Sequence, residues 1–374
     1  MSLCNIGIVG LGGFANLILE ALKDKTGFNV IAAADVDEEK AKKFKDKFDI
    51  EHIYFTAEEL FQNSKVDLVI IATPPFLHYE LGKQALLAGK NIFLEKPGSL
   101  TAKQMEELMI LTEDKRLKSS IDFVMRRNPP YFILKQLKEK DIFGLTERAY
   151  LENYAHDDGL PPNHWFWDYE KSGGIWVEHG VHFFDLVNWL IGLPVKAKGE
   201  KFSRDIGIVD RVVGTALYEN KVVVSYYHGF TKPEIFEETF FSMVFQRAYA
   251  KVEGWIPTTL VIDALVSPDT EEYIEGELLT KARKYLPGID VTLEKKLLSE
   301  FDSSELMPRV AEYHANVRIL FTFTLDRNRW DVYKACVFRG IEDLSKSILN
   351  EKTNPDVMLI DAKRALDVAM MMES

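Results

Sequence analysis

The amino-acid sequence predicts an α/β fold with a doubly wound parallel sheet, followed by an α+β domain with a large open, mixed or antiparallel sheet. Between residues 5 and 124, short apolar stretches alternate with segments whose apolar residues recur at helical spacing. After about residue 122, stretches with strand character follow one another with little helical pattern between them. Such a change is typical of a passage from α/β to α+β architecture.

The elements of the first part alternate in order along the chain. We expect helices where apolar residues share one face, and Thr101 is a suitable cap for the last of them. Pro74 and Pro75 end ladder pairing after the fourth strand. The predicted strands are residues 5–9, 30–34, 53–54, 66–72, 91–94 and 119–124, and the predicted helices are residues 14–22, 38–48, 79–88 and 102–114. This alternation implies right-handed crossovers, a parallel sheet and ligands at the carboxyl ends of its strands.

The second part has fewer recognisable elements. Its predicted strands are residues 146–154, 211–218, 221–228 and 238–245, and its predicted helices are residues 131–140, 176–191, 330–350 and 356–372. Residues 253–309 are too irregular to assign.

The chain length and composition favour two globular domains. A chain of 374 residues exceeds what one hydrophobic core comfortably serves. Its 47% hydrophobic and 28% charged residues are ordinary for a folded protein. We place the first domain at residues 1–122 and the second at residues 123–374.

Charge and cysteine content restrict the partners. The net charge of −12 comes without a basic patch, which argues against nucleic acid and favours a small molecule. No run of eighteen apolar residues or secretory leader is present, so we expect no membrane association. Cys4 and Cys336 have neither disulfide-framework nor metal-knuckle spacing, and we expect a reducing, cytoplasmic location.

A glycine-rich turn follows the first strand and opens the first helix. Gly10 permits the tight turn, Gly12 lets the backbone approach a pyrophosphate, and Ala15 keeps helix and strand close. The helix N-terminus adds N–H groups and partial positive charge. The alternative is a glycine-rich turn that binds no ligand. The preceding strand, the following helix and an acidic residue further along the chain favour the pyrophosphate-binding interpretation over this alternative.

That acidic partner is Asp35, at the end of the second strand. Its carboxylate can accept hydrogen bonds from the ribose hydroxyls of NAD and repels the 2′-phosphate of NADP. Asp37 adds negative charge, and residues 36–39 contain no arginine. We therefore predict NAD rather than NADP. The alternative is that Asp35 only caps the next helix.

Lys96 comes just after a strand that ends at the ligand-binding edge, between Glu95 and Pro97. A cation there can polarise a substrate oxygen and lower the pKa of an alcohol. Pro97 fixes the local backbone, and a cis bond before it would help to aim the lysine. The alternative is a solvated lysine at a strand end.

The predicted helix at residues 176–191 carries polar residues where a core is expected. Glu178 and His182 are four residues apart and would share one face. Gly180 would cost helix stability unless a substrate or nicotinamide approaches the backbone there. An imidazole is suited to accept a hydroxyl proton, and the carboxylate could orient it or the substrate. The alternative is a buried structural histidine.

Taken together, these motifs resemble the Gfo/Idh/MocA family, the glucose-fructose oxidoreductase and inositol dehydrogenase relatives. The resemblance implies a Rossmann domain, an α+β domain whose open sheet commonly forms a subunit interface, and hydride exchange between a nicotinamide and a sugar-like alcohol. It also implies that Lys96 and His182 are the catalytic pair. The residues that carry it are Gly10-Leu11-Gly12-Gly13-Phe14-Ala15, Ala72-Thr73-Pro74-Pro75 with His78, Glu95-Lys96-Pro97, Arg126-Arg127-Asn128-Pro129, and Gly173-Gly174 through His182-Phe183-Phe184-Asp185.

On this basis the sequence predicts an NAD-dependent dehydrogenase acting on a sugar or cyclic polyol, as a homodimer or homotetramer. An NAD-dependent glycosidase that works by transient oxidation and a non-catalytic NAD-binding regulator remain alternatives. The expected catalytic residues are Lys96, His182 and Glu178. The expected cofactor-binding residues are Gly10, Gly12, Gly13, Phe14, Ala15, Asp35, Ala72, Thr73, Pro74, His78, Glu95 and Lys96, and Arg126, His164, Trp165 and His179 are the expected substrate-binding residues.

One departure from the family pattern concerns the substrate pocket. The family usually has aspartate where Glu178 stands and a small apolar residue where His179 stands. The change could reposition a polyol, recognise another group, or bind a metal. We predict no metal, because His179 and His182 lack HExxH spacing and residues 178 and 179 project about 100° apart around a helix.

Overall fold

The computed structural model describes residues 3–205, 207–301, 315–350 and 352–374. The chain packs into two compact units. The first comprises Met1–Val124, Pro162–Asp185 and Cys336–Met370, and the second comprises Met125–Pro161, Leu186–Ala335 and Met371–Ser374. The first unit thus includes two later segments besides the N-terminal one. A division between residues 122 and 123 stays a prediction about domain organisation.

The first unit contains a six-stranded parallel sheet, which confirms the predicted α/β architecture. Its strands lie in the order β3-β2-β1-β4-β5-β6, and the order reverses between β1 and β4. At such a reversal the two flanking loops leave a crevice beyond the carboxyl ends of the strands. The strands are β1 (Cys4–Val9), β2 (Phe28–Ala34), β3 (His52–Tyr54), β4 (Leu68–Ile71), β5 (Asn91–Leu94) and β6 (Ser119–Ile121).

The helices between these strands agree with the prediction where local capping signals are strong. The helices are α1 (Gly13–Leu22), α2 (Glu38–Phe48), α3 (Ala57–Phe61), α4 (Pro75–Leu87) and α5 (Ala102–Asp114). The bounds of α2 and α5 are confirmed, and the Thr101 hydroxyl caps α5 by accepting from the backbone N–H of Gln104 at 3.2 Å. Helix α3 was not predicted. Helix α4 begins at Pro75 rather than residue 79, because proline fits the first turn of a helix.

The second unit contains a nine-stranded mixed sheet. Its strand order is β14-β15-β13-β12-β11-β7-β10-β9-β8, with β7 and β10 parallel and the other neighbours antiparallel. The strands are β7 (Thr146–His156), β8 (Pro194–Asp205), β9 (Ile208–Tyr218), β10 (Val223–Lys232), β11 (Glu238–Phe245), β12 (Ala248–Glu253), β13 (Thr259–Val266), β14 (Val291–Glu300) and β15 (Val317–Leu325). The predicted open mixed sheet is confirmed.

The sequence prediction missed several of these elements. Strand β8 was not predicted, and β12, β13, β14 and β15 lie within or beside the stretch left unassigned; residues 302–309 of that stretch lie outside the described residues. Strand β6 ends at Ile121, and a 3₁₀ turn follows at Val124–Arg127. The remaining helices are α6 (Pro129–Glu139), α7 (Tyr169–Ser172), α8 (Gly174–Glu178), α9 (Gly180–Ile191), α10 (Pro268–Tyr273), α11 (Leu279–Tyr285), α12 (Arg329–Leu349) and α13 (Leu359–Glu373).

Candidate active site

The turn between β1 and α1 leaves open space above its backbone. Gly10 has a φ of 86°, and a Cβ there would lie 2.7 Å from Thr73 Cγ2 and 2.8 Å from the Ala72 carbonyl oxygen. By contrast, a Cβ on Gly12 or Gly13 would meet no heavy atom within 4 Å. Helix α1 starts here without a side-chain cap or an acidic residue in its first turn. An uncapped helix N-terminus under open space fits a pyrophosphate.

Asp35 lies beside this turn at the end of β2. Its Oδ2 accepts a hydrogen bond from the Leu11 N–H at 2.8 Å, and its Oδ1 accepts from the Asp37 N–H at 2.9 Å. The residue that caps α2 is Asp37, whose carboxylate accepts from the Lys40 N–H at 3.0 Å. The alternative that Asp35 only caps this helix is therefore wrong. The carboxylate is instead tied to the glycine turn, and each of its oxygens has a further lone pair for a ribose hydroxyl.

Two adjacent loops continue this edge of the sheet, one after β4 and one after β5. The peptide bond between Lys96 and Pro97 is cis, as the sequence allowed. His78, in the first turn of α4, is 1% exposed and contacts both loops. Its Nε2 lies 2.6 Å from the Thr73 carbonyl oxygen and its Nδ1 lies 2.6 Å from the Pro97 carbonyl oxygen. The hydroxyl of Thr73 is buried and has no hydrogen-bond partner among the described residues, so it can serve a ligand.

Glu95 directs its carboxylate back to the backbone, where it accepts from the Lys96 N–H. Burial raises the pKa of Glu95 well above its usual value; the charge of Lys96 opposes this effect, and that of Asp122 adds to it. Lys96 contacts a second carboxylate through its ammonium group.

That carboxylate belongs to Glu178. Lys96 Nζ lies 3.3 Å from Glu178 Oε1 and 3.1 Å from the Glu178 backbone oxygen, and the two side chains are only 14% and 13% exposed. Burial alone would lower the pKa of Lys96, but the charges of Glu178 and Glu95 raise it above its ordinary value. Lys96 is therefore a positively charged, fixed donor at neutral pH.

The helix predicted at residues 176–191 is two helices. α8 ends at Glu178, His179 occupies the break with φ −108° and ψ −44°, and α9 begins at Gly180. A Cβ on Gly180 would lie 3.0 Å from Phe184 Cε2. No ligand is needed to explain the glycine at position 180, because the ring of Phe184 already lies close to its backbone. The prediction of one continuous helix was therefore wrong, and the shared face of Glu178 and His182 stays a prediction.

His182 is nevertheless buried in the same unit, with 3% exposure, and its ring centroid lies 6.2 Å from that of Phe123. Burial lowers the pKa of His182 well below its usual value, and the positive charge of Lys96 lowers it further. At neutral pH the imidazole is therefore uncharged, and an uncharged imidazole has one ring nitrogen able to accept a proton.

Three further predicted pocket residues belong to the first unit. His164 Nδ1 accepts from the Phe166 N–H at 3.2 Å, which leaves its ring proton on Nε2. The ring centroids of His164 and Trp165 are 5.0 Å apart, and that of His179 is 5.4 Å from that of Phe183.

Arg126 belongs to the second unit. Its backbone carbonyl accepts from the Tyr285 hydroxyl at 2.5 Å, and the residue is 9% exposed. Its assignment to the substrate, like that of His164, Trp165 and His179, stays a prediction.

Sequence reasoning did not single out Asp122 or Phe123. Asp122 is 1% exposed, and its charge raises the pKa of both Glu95 and Lys96. The signal was available, because an acidic residue interrupts an apolar strand at the ligand-binding edge. Extending the strand to residue 124 concealed that it ends before Asp122.

The sheet order, the open glycine turn and the adjoining Asp35 define a dinucleotide-binding Rossmann protein. Comparison with known families agrees with this class. Residues 4–123 match the model of an oxidoreductase family with an NAD-binding Rossmann fold, and residues 146–240 match the GFO/IDH/MocA C-terminal domain. The chain belongs to the Gfo/Idh/MocA oxidoreductase family, as its motifs had indicated.

Its relatives include oxidoreductases of bacterial origin. An uncharacterized oxidoreductase of Synechocystis sp. is 32% identical over 189 residues, or 50% of this chain and 51% of the relative. A myo-inositol 2-dehydrogenase of Thermotoga maritima is 28% identical over 212 residues, or 56% and 61% of the two chains. The chain thus spans about half to just under two thirds of the length of the curated relatives it matches.

Solved structures share the whole fold. Scyllo-inositol dehydrogenase from Lactobacillus casei, with bound NAD(H) and scyllo-inositol, superposes with a TM-score of 0.72 at 17% identity, covering 100% of this chain and 96% of the other. At this identity the likeness establishes the fold. Over the described residues, no helix is long and apolar enough to cross a membrane, and no group of three His, Cys, Asp or Glu residues could hold a metal ion.

Proposed function

We propose that the protein is an NAD-dependent dehydrogenase that exchanges a hydride between the nicotinamide and a CH–OH group of a sugar, cyclic polyol or related hydroxy compound. The observation that carries this proposal is the pairing of a charged, anchored Lys96 with an uncharged, buried His182 in one unit. One group can stabilise developing negative charge and the other can take a proton. The family's NAD-binding Rossmann fold supplies the setting.

The glycine turn at residues 10–15 would hold the pyrophosphate and Asp35 the adenosine ribose. Thr73 and Pro74, with Ala72 and Glu95 behind them, would form the nicotinamide end. When bound there, NAD supplies the hydride acceptor for alcohol oxidation. Asp35 favours NAD over NADP, because its carboxylate would face a 2′-phosphate.

His182 would accept the hydroxyl proton during oxidation. Its lowered pKa keeps an acceptor nitrogen available throughout the neutral range. Because the base is already unprotonated at pH 7, activity in the oxidative direction should not decline until well below pH 6.5. In the opposite direction the same nitrogen returns the proton.

Lys96 would hold the substrate oxygen. Two of its three N–H donors face the carboxylate and the backbone oxygen of Glu178, which leaves one for an alkoxide or carbonyl oxygen. Glu178 thus acts on Lys96, whereas the sequence had assigned it to the substrate or the histidine. We assign it as a positioning residue that keeps the ammonium charged and aimed.

The substrate class rests on polar and aromatic groups that suit hydroxyl-rich molecules. The Nε2–H of His164 is available as a donor on a ring whose centroid is 5.0 Å from that of Trp165, and His179 lies one residue beyond Glu178. Such a pairing of a donor with an aromatic ring is well suited to a sugar or polyol. A relative named myo-inositol 2-dehydrogenase agrees with this class. The assignment of Arg126, which belongs to the second unit, stays a prediction from the sequence alone.

The test is a panel of sugars and polyols with NAD and with NADP, followed by reduced-nicotinamide absorbance. Lys96→Ala and His182→Ala should slow turnover of the best substrate at least roughly 10²-fold. Lys103→Ala, which removes an exposed lysine of α5, is the matched control and should retain wild-type turnover. Unchanged turnover in either site variant would refute the assigned roles.

Two other outcomes would replace the proposal. Cofactor that co-purifies with the protein, together with cleavage of a glycoside without net redox change, would indicate a glycosidase that oxidises its substrate transiently. If no compound of the panel is oxidised or reduced, and if the response of the protein to its ligand survives Lys96→Ala, the protein would instead be a regulator that binds NAD.

We further propose a homodimer or homotetramer that forms through the nine-stranded sheet. Paired residues share one face of a sheet, and Val213, Tyr227, Glu152 and Phe240 form such a row across β9, β10, β7 and β11. Val213 and Phe240 are 40% and 38% exposed. A Phe240→Glu variant should lower the mass measured by light scattering, and an unchanged mass would exclude this interface. The cytoplasmic location stays a prediction.

A further inference from the structure

His78 contacts two neighbouring loops, because each of its ring nitrogens lies 2.6 Å from a backbone carbonyl oxygen. One contact reaches the Thr73 carbonyl at the end of the β4 loop. The other reaches the Pro97 carbonyl, in the residue directly after Lys96. With 1% exposure, His78 itself is screened from any ligand, so its effect has to pass through these loops.

The chemistry of the ring distinguishes the two contacts. Both partners are carbonyl oxygens, which only accept, and an uncharged imidazole donates from a single nitrogen. Burial lowers the pKa of His78, and the neighbouring charge of Lys96 lowers it further, although the two carbonyls and Glu178 act in the opposite direction. At neutral pH the ring therefore makes one hydrogen bond as a donor.

The burial of the two carbonyl oxygens indicates which of them accepts this hydrogen bond. The contact to Pro97 is buried, whereas the contact to Thr73 is only partly buried. A buried carbonyl without a donor costs more free energy than one that water can reach. The ring proton should therefore lie on Nδ1 and be donated to Pro97.

We propose that His78 is a positioning residue for Lys96: its Nδ1–H holds the Pro97 carbonyl and thereby fixes the backbone from which the lysine reaches Glu178. Lys96 is thus secured from two sides. Glu178 holds its ammonium group, at 3.1 and 3.3 Å, and His78 holds the main chain that follows it. The sequence assigned His78 to the cofactor, whereas this geometry assigns it to the loop that carries the lysine.

Replacing His78 by each of the two amide residues distinguishes the roles of its two ring nitrogens. The side-chain nitrogen of Asn lies near the position of histidine Nδ1, so His78→Asn can still donate to Pro97. The nitrogen of Gln lies near the position of Nε2, so His78→Gln can donate only to Thr73. His52 of β3, which lies outside the site, provides the controls His52→Asn and His52→Gln.

Because the proposal rests on the dehydrogenase function, its test combines turnover with two measurements that need no substrate. His78→Asn should keep kcat within about threefold of wild type, and His78→Gln should lower kcat at least about tenfold. Amine-directed modification, located by peptide mass, should label Lys96 faster in His78→Gln than in His78→Asn. Nitrogen-15 NMR of the wild-type protein should show the Nδ1–H tautomer for the signal that His78→Asn removes.

An Nε2–H tautomer, or equal Lys96 modification rates in the two His78 variants, would overturn the proposal even if no substrate is found. Equal kcat values for these variants in an active enzyme would overturn it as well. Inactivity of the wild-type protein on every substrate would instead refute the proposed dehydrogenase, and the labelling and NMR results would still decide the role of His78.

Discussion

Replacing Glu178 by glutamine tests whether this carboxylate keeps Lys96 charged. The substitution preserves the size of the side chain and its ability to accept a hydrogen bond, and it removes one negative charge 3.3 Å from Lys96 Nζ. At an effective dielectric constant of about 20, that separation corresponds to about 5 kcal/mol of attraction. Both side chains are slightly exposed, so solvent screening reduces this figure, and we take about half of it.

A loss of roughly 2.5 kcal/mol corresponds to about two pKa units. The pKa of Lys96, raised above its ordinary value in the wild type, should therefore fall by about two units in Glu178→Gln. Since only the ammonium form stabilises a substrate oxygen, kcat/KM should decline on the alkaline side at a pH about two units lower than in wild type.

The assay is kcat/KM for the best substrate of the panel from pH 6 to the alkaline limit of stability, expressed as the ratio of variant to wild type at each pH. This ratio cancels the pH dependence of the overall oxidation. Glu178→Asp keeps the charge and should retain most of the wild-type profile, and Glu113→Gln on the exposed side of α5 serves as the control. An alkaline limb at the same pH in Glu178→Gln and wild type would refute the electrostatic role of Glu178.

The other predictions concern the cofactor turn and acid stability. Gly12→Val should weaken NAD binding, measured by calorimetry, at least about tenfold, while the melting temperature stays near that of wild type because the valine side chain enters open space. Gly10→Ala should lower the melting temperature itself, because the new Cβ would clash with Thr73 and Ala72 and because Gly10 has a positive φ. Asp35→Ser should raise the ratio of NADP to NAD efficiency at least about tenfold, and a wild type that already prefers NADP would contradict the ribose assignment. His228, whose pKa burial lowers to about 3, should make the protein less stable as the pH falls from about 6.5, because the unfolded chain gains a proton that the native state excludes. Urea unfolding of His228→Gln should therefore show a pH slope about 1.4 kcal/mol per pH unit shallower than wild type between pH 6 and pH 4, and an equal slope would contradict this.

Where a structural feature depends on neighbours in the chain, the sequence was sufficient to predict it. Helix α5 is an example, because the Thr101 cap and the apolar spacing lie within its own residues. The parallel arrangement of the sheet follows in the same way from alternation and the right-handed crossover. Asp35 was also recognised, since its place at the end of β2 follows from the same pattern.

Features that depend on distant residues were mispredicted or missed. The break at His179 follows Glu178, whose backbone oxygen contacts the distant Lys96, and helical spacing alone favoured one continuous helix. Strands β12 to β15 were not predicted, although β13 and β15 are rich in apolar residues. They pair with one another, as the antiparallel registers of β13 with β12 and β15 show. Pairing of this kind is not visible in a single strand's composition.

The contact between Lys96 and Glu178 joins residues 82 positions apart, which is why sequence reasoning identified both residues and did not predict the contact between them. Helical spacing placed the carboxylate beside His182, whereas in the structure the side chain and the backbone oxygen of Glu178 both contact Lys96. The longer side chain is compatible with this double contact, because the extra methylene lets the carboxylate reach an ammonium that the main chain of the same residue already holds. Under the proposed function, the departure from the aspartate of the family pattern would act first on the charge and position of the lysine, and only through the lysine on the substrate.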